Sequence, residues 1–182
     1  MGNSRKRSGR YGGRAWASVK KGILNDLRQD SQLVVTTMVD FYALPQDWPQ
    51  RPLAAWATEI EAGMQREIVA AMGSGFNARR FIPFVMMHEF EALLFSYCDL
   101  LGSVLHVEPR QLWGIRNRFL SPEEINDSIH TAPSKRIEQI LPGYEKPSDA
   151  IAAAKEIGLT KMREQCAHFR WWLDELASRP SL

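Results

Sequence analysis

The stretch Phe81–Phe95, FIPFVMMHEFEALLF, constrains this chain most. It opens as a short apolar run, Phe81 to Met87, of the length of a buried strand. At His88 the character changes. Glu89 and Glu91 then interrupt an apolar sequence that continues as Ala92-Leu93-Leu94-Phe95, which suits a helix. Two carboxylates and a histidine therefore sit where a buried strand hands over to a helix. In open α/β sheets that carboxyl edge is where ligands bind. Carboxylates among so many large apolar residues are costly unless paired, hydrogen-bonded or bound to a cation. A satisfied structural network at a helix start, where the dipole favours acids, answers the same demand.

A second strand-like run, Leu33 to Val39 (LVVTTMV), is β-branched and nearly all apolar, as a strand covered on both faces would be. It ends at Asp40. If the two strands are neighbours, Asp40, Glu89 and Glu91 would be oxygen ligands on adjacent strand ends. Mg²⁺ takes one or two carboxylates plus waters and a phosphate, and such a site serves phosphodiester cleavage. Two residues apart on a helix, Glu89 and Glu91 would not share a face; an extended turn at Glu89 would relax that. Asp40 as a plain turn residue is the alternative.

Helical spacing predicts Ala15–Leu27, with Trp16, Val19, Ile23 and Leu27 on one face. It also predicts Leu53–Met72, with a stripe of Leu53, Trp56, Ile60, Met64, Ile68 and Met72. From about residue 108 the chain reads as mainly helical. Pro109–Trp113 is a short helix, and Ser121-Pro122-Glu123-Glu124 has a capping-box form. Ile137–Leu141 follows, then a helix from Ser148 to Ile157 stopped by Gly158, and a last helix, Lys161–Ala177. Lys135 and Arg136, at a helix start after a proline-bearing turn, could hold a substrate anion; a solvated basic pair is the alternative.

A chain of 182 residues suffices for one domain with a real core, here residues 15–182. Residues 1–28 carry eight Lys or Arg against one acid, Asp26; the overall +2 leaves −5 for the remainder. Residues 1–14 read as a flexible basic arm suited to nucleic acid or another polyanion. No apolar run approaches a membrane span, and Cys98 and Cys166 lie far apart, which fits a reducing cytoplasm. No CxxC or HxxxH spacing, Walker loop or Gly-x-Ser-x-Gly elbow is present.

Val39-Asp40-Phe41-Tyr42-Ala43-Leu44-Pro45, HEFEALLF at 88–95, Asn126-Asp127 and TAPSKRI at 131–137 resemble the bacterial family known as domain of unknown function 4276. Ile157-Gly158-Leu159, Arg163, Cys166 and Trp172-Leu173 are similar too, and the likeness runs from about Gly12 to the C-terminus. The resemblance implies a Toprim-like α/β sheet flanked by helices, with Asp40 in place of the Toprim aspartate; Tyr42 stands where a second aspartate would fall. Glu89 and Glu91 then belong to a distinctive family motif; together with the residue chemistry above, Asp40, Glu89 and Glu91 are the expected catalytic residues, Asp40 and Glu89 the Mg²⁺ ligands, and His88, Lys135 and Arg136 the substrate contacts. It further implies a nuclease component of a phage-defence or mobile system with a partner ATPase, or a non-catalytic accessory subunit. Family members usually open with a strand ending in Glu-Gly; this chain does not, so the expectation is that the start is misassigned, the gene is truncated or this member has lost that glutamate. The implied sheet then has an unfilled edge, which a partner could meet.

Overall fold

The computed structural model describes residues 13–51, 56–125 and 131–179. The basic arm lies almost wholly outside them, as do Leu53, Asn126, Asp127 and His130. Helix α1 is Trp16–Gln29, and it buries the four apolar residues that its spacing singles out. Its first turn is tied down by polar groups. The Trp16 N–H donates to Asp47 Oδ2 at 2.8 Å, the indole to Glu67 Oε2 at 2.7 Å, and Lys20 pairs with Glu67 at 2.8 Å.

Four short strands follow the two apolar runs: β1 Val35–Thr36, β2 Val39–Asp40, β3 Phe81–Ile82 and β4 Val85–Met86. Strand β1 pairs with β3 and β2 with β4, both in parallel, with Val35 opposite Phe81 and Val39 opposite Val85. These are two halves of one ribbon, so the expectation of uninterrupted strands is corrected. The cause is Pro83, which has no N–H to give the ladder. Thr37 bridges the gap: its hydroxyl accepts from the Phe84 N–H at 3.0 Å and donates to the Phe84 carbonyl at 3.3 Å. Thr37→Val keeps the shape but strands those two buried groups. It is expected to cost about 1–3 kcal/mol in urea unfolding; an unchanged midpoint would contradict this role for the hydroxyl.

Residues 81–86 form a wall between two cores. Phe81 and Val85 pack with Trp16, Val19, Ile60, Met64 and Ile68. Phe84 and Met86 pack on the other side with Leu94, Leu101, Leu112, Ile137 and Phe169. Alternate residues of a strand face opposite ways. Both faces are covered, which is why the run carries no polar alternation.

Helix α2 is Ala57–Met72. It starts later than the stripe suggests, because Trp56 is extended at the N-cap and 67% exposed. Glu59 accepts the Trp56 N–H at 2.9 Å. After β4 the chain forms a 3₁₀ helix, Phe90–Tyr97, then α3, Cys98–Leu105. Helix α4 is Pro109–Arg116 and α5 is Pro133–Ile140, each with proline in its first turn.

Helix α6, Ser148–Gln165, is kinked at Gly158, whose φ of 73° is left-handed. Helix α7 is Ala167–Ala177. The single terminal helix expected from Lys161 is thus broken at Cys166. Glu123 explains the break, since its two carboxylate oxygens accept the His168 and Phe169 N–H groups at 3.0 and 2.8 Å and start a new helix. The architecture is α/β with a helical C-terminal half. Among the described residues no helix is long and apolar enough to cross a membrane.

Candidate functional site

Because β2 and β4 are parallel neighbours, Asp40 and the segment after Met86 emerge at the same end of the ribbon. Asp40 is the last residue of β2 and leads into a 3₁₀ turn, Phe41–Ala43. Glu89 is extended (φ −122°, ψ 158°) and caps the 3₁₀ helix in which Glu91 occupies the first turn. That extended residue lets both glutamates reach one cation. Lys146 Nζ lies 3.1 Å from Glu89 Oε1 and 3.1 Å from Glu91 Oε1. The other Glu89 oxygen accepts the Ser134 N–H at 3.0 Å, in the first turn of α5, where the helix favours an anion.

Lys146 therefore bridges two carboxylates, and its charge is also felt at Asp40. Burial, then the charges of Glu91 and Glu89, push Asp40 up to about 6 against the pull of Lys146. Burial also raises Glu91, although Lys146 opposes it. Burial would raise Glu89 too, but the bonds from Ser134 and Lys146 win and hold it below the ordinary value. For Lys146 burial works downward, and Glu91 with Glu89 overcomes it. Tyr144 is buried beside Glu91, and burial followed by that charge raises its phenol.

His88 is half-buried and stacks on Tyr42 with ring centroids 6.0 Å apart. Lys135 is exposed and paired with Glu138 at 2.7 Å, and Arg136 is buried. The Arg136 Nε–H donates to the Thr131 carbonyl at 2.8 Å, and its guanidinium lies 5.3 Å from the Phe119 ring centre. The structure thus brings Lys146 and the Ser134 N–H to the carboxylates. That the buried acids need compensation is visible in the sequence; its source, Lys146, more than fifty residues downstream in a loop, carries no motif. Among the described residues no group of three or more His, Cys, Asp or Glu is placed to hold a metal ion together.

A second polar cluster escaped the sequence reasoning. Glu61 of α2 is 5% exposed, accepts the Val85 N–H at 2.7 Å, and lies 3.0 Å from His168 Nε2. The imidazole is flanked by Phe84, 4.8 Å away, and Trp171, 6.1 Å away and nearly parallel. Burial works to lower the His168 pKa, but the Glu61 bond and the charges of Glu61 and Glu123 raise it overall. Cys98 and Cys166 are free and buried, and burial pushes both thiols up to about 12, so neither is a ready nucleophile.

One family model, described as Domain of unknown function (DUF4276), matches the chain over residues 3–177. No curated protein and no solved structure matches it.

Proposed function

The chain belongs to this family, and we propose that it is a Toprim-like, Mg²⁺-dependent nuclease component with the acidic corner after β2 and β4 as its site. The observation that supports this reading is surplus negative charge, with Asp40, Glu89 and Glu91 set against Lys146 and Asp40 held near 6. Hard oxygen donors suit Mg²⁺, which takes one or two carboxylates and keeps its waters. The residues fit an ion bound that way and do not form a closed cage. Asp40 and Glu89 would hold it and Glu91 would assist. When bound, the ion supplies charge stabilisation to a phosphodiester. Lys146 and the Ser134 N–H orient the two glutamates. His88 is the substrate-side candidate. The setting is a cytoplasmic phage-defence or mobile-element system, with nucleic acid as substrate and an ATPase as partner.

A second reading, a non-catalytic accessory subunit of that ATPase, is favoured by the Lys146 bridge, which already balances much of the charge on Glu89 and Glu91. Calorimetric titration of the full chain with Mg²⁺ and Mn²⁺, beside cleavage assays on DNA and RNA, separates the two. Under the nuclease reading the chain takes up the ion and cleaves, and Asp40→Ala abolishes both. Absence of ion uptake and cleavage would leave the accessory reading, in which Asp40→Ala keeps partner binding intact.

A further inference from the structure

Of the two Glu89 oxygens, only Oε1 is clear of the backbone. Its Oε2 accepts the Ser134 N–H at 3.0 Å, a group fixed in the first turn of α5. Oε1 lies 3.1 Å from Lys146 Nζ, and the same ammonium lies 3.1 Å from Glu91 Oε1. A divalent ion held by both glutamates therefore competes for oxygens that Lys146 already engages. Mg²⁺ binds a carboxylate oxygen at about 2.1 Å, so an ion on Glu89 Oε1 would stand at most about 5 Å from the ammonium. At that separation, and partly withdrawn from water, a double and a single positive charge repel strongly.

The two sides of this contact differ in freedom. The Glu91 side chain is 6% exposed and that of Lys146 40%. Glu89 is anchored by Ser134, and Glu91 stands in the first turn of the 3₁₀ helix. Lys146 lies in the loop between α5 and α6, and its four-carbon stem can carry the ammonium into water by side-chain rotation alone. The buried Tyr144 hydroxyl has no hydrogen-bond partner among the described residues, although it lies near Glu91. It is a spare donor for Glu91 when Lys146 lets go.

We infer that the Lys146 ammonium is the chain's own occupant of the cation position, holding Glu89 and Glu91 until a divalent ion displaces it. The inference rests on the acidic corner being the ion site. Lys146 then sets the ion concentration at which the site loads, and it keeps the two acids compensated below that concentration.

Calorimetric titration of the metal-stripped full chain with Mg²⁺ and Mn²⁺ tests this. Lys146→Gln should bind the ion about tenfold more tightly than the parent. Lys146→Arg keeps the charge on both carboxylates and should show no such gain. Lys161→Gln removes an exposed charge that pairs with Glu164, and should stay within about twofold of the parent. Without the ion, Lys146→Gln should melt below the parent, and Mg²⁺ should recover the difference; a purely structural lysine would leave the variant weakened with or without it. A parent that binds and a Gln variant that binds no more tightly would overturn the inference and leave the nuclease reading standing. Uptake by the Gln variant alone would support the inference and remove the nuclease reading of the parent. Uptake by neither would overturn both. If Lys146→Gln does not fold, the parent decides: acetylation of Lys146 by acetic anhydride, followed by mass spectrometry, should quicken when Mg²⁺ is added, and an unchanged rate would overturn the displacement.

Discussion

Glu61→Ala is expected to destabilise the chain by about 3 kcal/mol, because it breaks a buried pair and leaves the other partner in place. Glu61 accepts the Val85 N–H on the side of β4 that β2 does not cover, and it also holds His168 against Phe84. Its removal therefore exposes two faults, an unpartnered strand N–H and an imidazolium without its counter-charge. The pair also links α2 to α7 across the residue 81–86 wall, so the two cores should loosen together. Urea unfolding of Glu61→Ala and His168→Gln measures this. The histidine variant should lose less, since Val85 keeps its acceptor.

The same pair sets a pH dependence. The His168 pKa is raised in the folded chain above its ordinary 6.5. A raised histidine stabilises the fold fully below 6.5, and that contribution is lost as pH climbs through the higher folded value. Stability of the parent chain should therefore decline on the alkaline side of 6.5, and both variants should lack that decline. A Glu61→Ala chain with the parent's midpoint and pH slope would show that the pair does not bridge the cores in solution.

Asp40→Asn should have the opposite sign. The carboxyl is raised from 3.8 to about 6, so its charged form is disfavoured by the fold, by burial first and then by Glu91 and Glu89. An acid whose folded pKa is raised costs stability as pH rises from the unfolded to the folded value, and the full cost persists above it. In metal-free protein at neutral pH the amide should gain about 1–3 kcal/mol, with no gain below pH 3.8. Under the proposed function, Mg²⁺ should raise the melting temperature of the parent chain and leave the variant unmoved. A destabilised Asp40→Asn chain would mean that the carboxylate is a net structural asset, and the surplus-charge argument would fail. Gain of stability with loss of ion binding is the trade expected of a functional charge.

Much of this molecule was legible before any coordinates. The α1 stripe of Trp16, Val19, Ile23 and Leu27 is buried as its spacing demands, since period alone sets which side chains share a helix face. The two apolar runs are legible as strands because a doubly covered strand has to be apolar throughout; that they are parallel neighbours, which sets Asp40 near the HEFEALLF turn, was only a condition in the sequence and is decided by the fold. The cost of burying acids also required that Glu89 and Glu91 be paired, hydrogen-bonded or bound to a cation, without saying which.

Other features depended on groups distant in sequence. Lys146 is paired with Glu89 and Glu91 only because the loop before α6 folds back over the 3₁₀ helix. Glu61 reads on paper as a polar residue of an amphipathic helix. It becomes a buried hinge between two cores because His168, 107 residues away, arrives beside it. Periodicity is a local property of the chain and survives in the sequence. Charge compensation belongs to pairs whose separation in sequence carries no rule, so the tertiary fold alone chose the partners.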